Sequence, residues 1–232
     1  MIMAWLGKVK PDEKLMKVKI ELRKTEIKRT IVVPARLTLD SFSHVIREAL
    51  GWDGSHGWMF SQGRDLRWPQ GQDEDEDKPT LGWPYDATWY QSPDNHTLSE
   101  VLPTQGKRLY YLYDKGDHWE HLITRMGDPP IDATIGCEKT SGVWARDDVG
   151  GPMALKSLLV ALRHWDKDCT DAECREGECS GDKRFWFGWG KKAKREEFLA
   201  GPTVEDVTLR IQALFTETPE NEKKRFEKLM KE

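Results

Sequence analysis

Hydrophobic and polar residues alternate at the start of the chain. Every second residue from Met16 to Leu22 is apolar, and the residues between them are charged. This alternation is typical of a β-strand with one buried face. The stretch RKTEIK then predicts a turn, and RTIVVPA predicts a second strand that ends at Pro34. We therefore expect an antiparallel pair of strands.

A helical period follows the two strands. Apolar residues from Phe42 to Leu50 recur at the spacing that places them on one side of a helix. Thr38 is a good N-cap, and Leu37 and Phe42 have the spacing of a hydrophobic staple. Gly51 can adopt the left-handed conformation that ends a helix. These signals predict a helix between Thr38 and Gly51.

The remaining elements are predicted from shorter signals. HGWMFSQG, KRLYYLY and HWEHLITRM predict strands, and TLSEVL predicts a short helix whose Thr97 and Glu100 form a capping box. Residues 126–151 are predicted to be irregular. Pro152 favours the first turn of a helix that runs to about Trp165. TVEDVTLRIQALF predicts another amphipathic helix.

The order of these elements, ββαβ(α)ββα, predicts an α+β fold with an antiparallel or mixed sheet and helices packed on it. We expect a single domain over residues 1–215 with a Cys-rich insertion at 166–190. Residues 216–232 predict a charged helical tail, and the acidic run at 73–77 predicts a solvated loop.

Composition narrows the class of protein. Eleven tryptophans argue for a packed core and against a disordered chain. The net charge of −4 argues mildly against a dedicated nucleic-acid binder. No apolar run approaches the roughly 20 residues that span a bilayer, so we expect no membrane partner. The apolar start is too short for a signal-peptide core, and four cysteines without an export signal favour a cytoplasmic protein with reduced or metal-bound thiols.

Three stretches together resemble a known family. They are TLDSFSHVIREALGWDGSHGWMF, LYYLYDKGDHWEHLI and ARDDVGGP after a cysteine, and in this order they are similar to the plasmid pRiA4b open-reading-frame-3-like family over about residues 16–165. The resemblance implies a fold and a possible link to mobile elements, but no reaction. Val149, directly before Gly150 and Gly151, stands where family members often carry a cysteine. The family motif positions are His44, Trp52, His56, Tyr113, Asp114, Gly116, Asp117, Trp119, Glu120, His121, Cys137, Asp148, Gly150 and Gly151.

Histidines and carboxylates form the first group of candidate catalytic residues. Such side chains suit a divalent metal, and a carboxylate beside a histidine can serve as a general base. Strand alternation places His121 on the face of Trp119 and places Glu120 on the opposite face, so one compact site that uses both is disfavoured. The candidates are His44, His56, Asp114, Asp117, Glu120 and His121.

A structural interpretation of the same residues stays open. His121 would be a histidine at the edge of the core, bonded to an aspartate or to backbone. Asp114 and Asp117 would form a turn around Gly116, which would take a positive φ.

Four residues of the insertion recur at equal spacing and form a candidate zinc site. His164, Cys169, Cys174 and Cys179 supply the four ligands that a structural zinc ion requires. A metal would also explain how a polar insertion becomes ordered. The usual spacing in zinc knuckles is shorter, so a loop with free thiols is the alternative.

Two further stretches offer binding surfaces. Residues 183–195 interleave aromatic residues with Lys183, Arg184, Lys191 and Lys192, which could contact nucleic acid. The alternative is that the aromatic rings return the insertion to the core. In WARDDVGGP, the glycines could bind an anion with Arg146, or form a tight turn with Asp148 as a helix cap.

These observations leave three functions open. The leading hypothesis is a non-enzymatic binding or accessory module for an unknown protein or nucleic-acid partner. The alternatives are a metal-dependent hydrolase or nuclease-like enzyme that uses the His/Asp group, and a DNA-associated accessory protein that uses residues 183–195.

Overall fold

The computed structural model describes residues 6–63, 80–82, 93–163 and 192–216. Within these residues the strands form one antiparallel sheet, which confirms the predicted α+β class. The strands are β1 (Leu15–Leu22), β2 (Lys28–Pro34), β3 (Trp58–Ser61), β4 (Thr80–Gly82), β5 (Arg108–Tyr113), β6 (Trp119–Gly127) and β7 (Gly136–Ser141). The helices are α1 (Leu39–Leu50), α2 (Leu98–Val101), α3 (Gly151–Arg163), α4 (Lys192–Ala200) and α5 (Val204–Thr216).

The seven strands lie in the order β4-β3-β5-β6-β1-β2-β7. β1 and β2 form the predicted antiparallel hairpin, and β6 pairs with the other side of β1. The alternating apolar residues of β1 from Met16 to Leu22 are buried, as the alternation predicts, while Leu15 and the charged residues stay partly exposed. The hairpin therefore contributes one face to the core.

Helix α1 covers that face and ends as the sequence predicts. The Thr38 side chain accepts a hydrogen bond from the N–H of Ser41, and Gly51 has a φ of 92°. Both residues of the predicted staple, Leu37 and Phe42, are buried. A Cβ at position 51 would lie 2.8 Å from Cε3 of Trp144, so the close approach of this ring also favours glycine.

The other helices largely match their predicted starts. Thr97 and Glu100 form the predicted capping box at α2. Helix α3 begins at Gly151, one residue before Pro152, and Thr203 caps α5 by accepting from the N–H of Asp206. None of the helices in the described ranges is long and apolar enough to cross a membrane.

The prediction that residues 126–151 are wholly irregular is wrong, because β7 lies within them. β7 pairs with β2 at one edge of the sheet. Its sequence, GCEKTS, has no hydrophobic alternation, since most of its residues are exposed or half-buried. Helix α5 lies against it, where the Thr208 hydroxyl accepts from the N–H of Cys137 at 3.0 Å.

A buried arginine ties the hairpin to the helical layer. The guanidinium of Arg29 donates to the carbonyls of Lys28, Ala49, Ser141 and Val143. It therefore joins the end of α1 to the segment that follows β7. The predicted acidic loop at 73–77, the insertion at 166–190 and the tail from residue 217 lie outside the described residues.

Candidate functional site

Three segments meet at one end of the sheet. They are the loop 51–57 between α1 and β3, the β5–β6 turn 114–118, and the segment 144–151 that leads into α3. The N–H of Asp53 donates to Oδ2 of Asp147 at 2.8 Å, and the N–H of Gly150 donates to Oδ2 of Asp117 at 2.9 Å. We call these three segments, together with the side chains beneath them, the loop junction.

The base of the loop junction is aromatic. Trp52 stacks on Tyr113 with ring centroids 4.9 Å apart, and its ring lies 5.0 Å from that of Trp119. The indole N–H of Trp52 donates to Nε2 of His121 at 3.3 Å. Because Trp52 immediately follows the cap of α1, the end of this helix fixes where the ring enters the core.

His121 lies in the core, not at its edge. It is fully buried, and its Nδ1 is 3.1 Å from the carbonyl of Tyr111. Since Nε2 accepts from Trp52, Nδ1–H donates to this carbonyl. Burial lowers the pKa of His121 to about 4, although the backbone hydrogen bonds oppose this shift. The imidazole is therefore neutral, and both nitrogens are used inside the protein.

Tyr113 connects the aromatic base to two aspartates. Its hydroxyl donates to Oδ1 of Asp147 at 2.8 Å and accepts from the N–H of Gly54 at 3.1 Å. Burial, and then the bond to Asp147, raise the pKa of Tyr113. Burial also raises the pKa of Asp147. The hydrogen bond between them holds the phenol and the carboxyl as a tightly bonded pair.

Asp53 belongs to the same hydrogen-bonded framework as Tyr113 and Asp147. Burial raises its pKa, but the hydrogen bonds from the hydroxyl and the N–H of Ser55 outweigh burial, so the net pKa of Asp53 is lowered. Sequence reasoning missed Asp53 and Asp147. Their positions in the sequence could have identified them, because Asp53 directly follows the family motif residue Trp52 and Asp147 directly precedes the motif residue Asp148.

His56 is the partly exposed histidine of the loop junction. Its Nδ1 lies 3.6 Å from Oδ2 of Asp114, and its Nε2 lies 3.2 Å from Oδ1 of Asp148. The second contact is close but lacks hydrogen-bond geometry. The His56 side chain is 27% exposed and that of Asp148 is 77% exposed. Asp148 therefore faces the solvent, whereas His56 is only partly exposed and its Nε2 is a buried atom.

The β5–β6 turn differs from the predicted one. Asp114 accepts from the N–H of Gly116 at 2.7 Å, which is the behaviour expected of a turn-forming aspartate. The positive φ angles belong to Asp114 (58°) and His118 (55°), so the prediction that Gly116 adopts one is wrong. Aspartate tolerates the left-handed region because its short side chain bonds locally. Asp117 bonds Gly150 instead of its own turn.

The two glycines before α3 are explained by close packing. Gly150 and Gly151 have φ angles of 90° and 83°. A Cβ at Gly151 would lie 2.8 Å from the carbonyl oxygen of Asp117. Because the N–H of Gly150 is already bonded to Asp117, it does not point to a free anion. Asp148 lies beside His56.

Several candidates do not join the loop junction. Glu120 lies on the opposite face, near Arg23 and His118. His44 lies on α1 beside Asp40 and Arg47, and Cys137 lies at the β7 edge. Across the part of the chain that the structure describes, no group of three or more His, Cys, Asp or Glu residues could hold a metal ion.

The structure does not test the candidate residues of the insertion. His164, Cys169, Cys174 and Cys179 lie outside the described residues, so the zinc site stays a prediction. Lys183, Arg184 and Lys191 also lie outside them, and Lys192 is the first residue of α4.

Comparison with known proteins places these residues in a family. The family model described as "Plasmid pRiA4b ORF-3-like protein" matches residues 14–185. An uncharacterized protein, y4hQ, of Sinorhizobium fredii is 32% identical over 156 residues, which cover 64% of this chain and 73% of that protein. The chain therefore belongs to the plasmid pRiA4b ORF-3-like family, and the resemblance inferred from the three motifs is confirmed.

A solved structure shares the fold. The crystal structure of a protein of unknown function from Methanosarcina mazei Go1 superposes with a TM-score of 0.58 at 18% identity. The match covers 84% of this chain and 98% of the other.

Proposed function

We propose that this protein is a non-enzymatic binding module and that the loop junction holds its partner. The observation that carries this proposal is the convergence of family motif residues from three separate segments of the chain. Their buried members, such as Trp52 and Tyr113, form a bonded framework, while Asp148 faces the solvent and His56 is partly exposed.

The bonded framework supports binding because it is preorganised. Asp147 is held by the hydroxyl of Tyr113 and by the N–H of Asp53, and Asp117 is held by Gly150. Loops that are already ordered lose little conformational entropy when they bind a partner. The junction can therefore present its exposed groups in one fixed arrangement.

Charge favours a basic partner. The three segments of the loop junction contain five aspartates, Lys115 and Arg146. Complementary charge increases the rate and the specificity of association. We therefore propose a cytoplasmic protein partner that offers a Lys- or Arg-rich segment. The same excess of aspartates disfavours contact between this face and the phosphates of DNA.

A peptide panel tests this proposal. Short Lys/Arg-rich, Asp/Glu-rich and neutral peptides would be titrated into the isotope-labelled protein and followed by amide NMR shifts. We expect only the basic peptides to shift the amides of the loop junction. Asp148→Asn should weaken their binding by roughly two- to fivefold, as for other exposed charges. Asp132→Asn changes an exposed aspartate outside the junction and should leave binding unchanged. Equal responses to all three peptides would contradict the proposal.

One observation favours the enzymatic alternative. The ring of His56 lies between Asp114 and Asp148, and a histidine beside a carboxylate can act as a general base. On this alternative, the wild-type protein would hydrolyse ester or phosphodiester substrates with added divalent metal, and His56→Gln would abolish the activity. Absence of turnover in the wild-type protein would remove this alternative.

A further inference from the structure

His56 lies between two carboxylates that belong to different segments of the loop junction. Its Nδ1 is 3.6 Å from Oδ2 of Asp114, in the β5–β6 turn, and its Nε2 is 3.2 Å from Oδ1 of Asp148, in the segment before α3. The ring of Tyr113 lies nearly perpendicular to the imidazole, with centroids 5.8 Å apart. His56 itself belongs to the loop before β3. The imidazole therefore contacts all three segments of the junction.

The protonation state of His56 decides how many of these contacts can become hydrogen bonds. An ionised carboxylate only accepts, and a neutral imidazole carries a single N–H. Neutral His56 can therefore donate to Asp114 or to Asp148, and its other nitrogen then turns a lone pair towards a carboxylate. A protonated ring has an N–H on each nitrogen, so it can donate to both carboxylates at once.

Neither contact is a formed hydrogen bond in the structure. The distance from Nδ1 to Asp114 is too long for one, and Nε2 is a buried atom without a bonded partner among the described residues. Asp114 is held in place, since its Oδ1 accepts from the N–H of Gly116 at 2.7 Å. The side chain of Asp148 is 77% exposed, so a rotation of this side chain can bring its carboxylate into line with Nε2.

The other charges around His56 come from the same three segments. Two further carboxylates interact electrostatically with the ring, and each belongs to the bonded framework of Tyr113. The cations of these segments are Lys115 and Arg146. His118, in the β5–β6 turn, pairs with Glu120 on the opposite face. A proton on His56 therefore enters a region of excess negative charge, whose carboxylates are those of Asp53, Asp114, Asp147 and Asp148.

We propose that His56 is a positioning residue for Asp148 and that its protonation draws the Asp148 carboxylate away from a basic partner. The protonated ring donates to Asp148 and ties the loop before β3 to the segment before α3. Histidine is the side chain that ordinarily changes its charge between about pH 5 and pH 8, so the affinity for a basic partner should fall with pH over this range. The effect on a partner rests on the proposed function, whereas the pairing of His56 with Asp148 does not.

The ring signals of His56, followed by NMR between about pH 8 and pH 5, test the pairing without a partner. Asp148→Asn removes the charge 3.2 Å from Nε2, so the ring should gain its proton at a lower pH than in the wild-type protein. Asp132→Asn removes an exposed carboxylate outside the junction and should leave the titration unchanged. His44 and His121 have pKa values of about 4, so their rings stay largely neutral over this range.

The basic peptides of the panel test the effect on binding. Their Kd for the wild-type protein should rise roughly two- to fivefold from about pH 8 to about pH 5, the size expected when one exposed charge is lost. His56→Gln and Asp148→Asn should each lose most of this pH dependence, because each lacks one member of the pair. His96→Gln is the matched control. It changes a histidine before α2, outside the junction, and should keep the pH dependence.

Two results would overturn the role of His56. One is a His56 titration that Asp148→Asn leaves unchanged. The other is a peptide affinity that does not depend on pH in the wild-type protein, or that depends on it equally in His56→Gln. If no basic peptide binds at either pH, the proposed function and the effect on binding both fail. The ring titration then still decides whether His56 and Asp148 form a pair.

Discussion

Arg29 and Arg47 are two arginines with opposite hydrogen-bonding states. Arg29 is fully buried, and all three of its guanidinium nitrogens donate to backbone carbonyls. Arg47 bonds the ring of His44, but its Nε has no partner in the described residues. Complete pairing indicates a residue that holds the fold together. Incomplete pairing indicates a residue whose loss should cost the fold less stability.

Neighbouring side chains of β5 and β6 show both states within a few residues. His121 and Tyr113 are bonded on every polar atom, whereas Tyr111, two residues from Tyr113 on the same strand, has a free hydroxyl. Burial alone therefore does not show whether a polar side chain is hydrogen-bonded in this region. The effect of each hydrogen bond on stability can be tested by matched substitutions.

The largest expected effect is at Arg29. Arg29→Met should lower the free energy of unfolding by about 3–5 kcal/mol, because several buried carbonyls lose their donor. Arg47→Met should cost less than about 1 kcal/mol, because it removes one hydrogen bond, to His44, and an unmet donor. Urea denaturation of both variants gives these values. Equal losses would contradict the distinction between the two arginines.

The second-largest expected effect is the dependence of stability on pH. His121 has a pKa of about 4 when folded and an ordinary value of 6.5, so the unfolded chain binds a proton that the folded protein excludes. Stability should therefore fall as the pH drops from about 6.5 to about 4, by on the order of 3 kcal/mol for this residue.

His44 should contribute to the same loss, since its pKa is also lowered to about 4. Urea midpoints across this pH range measure the combined slope. His44→Gln should reduce the slope by roughly half while changing stability little at neutral pH. An unaltered slope in this variant would show that His44 is not held neutral in the fold.

A smaller effect separates the two tyrosines of β5. Tyr113→Phe should lower the free energy of unfolding by about 1–2 kcal/mol, because Asp147 and Gly54 lose a bonded hydroxyl. Tyr111→Phe should leave it unchanged or raise it, because the lost hydroxyl is unbonded. Thermal unfolding of the two variants side by side measures the difference. A loss of similar size in both would remove the distinction.

The smallest effect is expected at the sheet edge. Thr208 uses its hydroxyl to accept from the N–H of Cys137 and to donate to the carbonyl of the same residue. Thr208→Val keeps the shape and should cost about 1 kcal/mol, because two backbone groups lose their partner. Hydrogen exchange at the Cys137 amide should become faster. Unchanged exchange would mean that solvent does not reach this edge.

The sequence predicts those elements whose signals are local. The strand alternation after Met16 and the caps Thr38 and Thr97 each lie within their own element, and the structure matches them. β7 has no such signal, because an exposed edge strand does not need alternating apolar residues. Its position is set by pairing with β2, about a hundred residues earlier.

The candidate site was predicted only in part for the same physical reason. Alternation correctly separated His121 from Glu120, but it could not show that His121 is fully buried. It also could not show that Asp147 reaches Tyr113, since this contact depends on how three distant segments meet. Sequence spacing treats His44 and His56 alike, although they lie in separate groups.

The strand order also affects how the protein folds as it is synthesised. β1 lies between β2 and β6, so its second neighbour is translated about a hundred residues after it. At about 5–20 residues per second, the early hairpin waits roughly 5–20 s on the ribosome before β6 emerges. During this interval the edge of β1 that later pairs with β6 has no hydrogen-bonding partner, and the apolar residues from Met16 to Leu22 lack the neighbouring side chains of β6. The nascent hairpin is therefore the segment that we expect a ribosome-bound chaperone to cover.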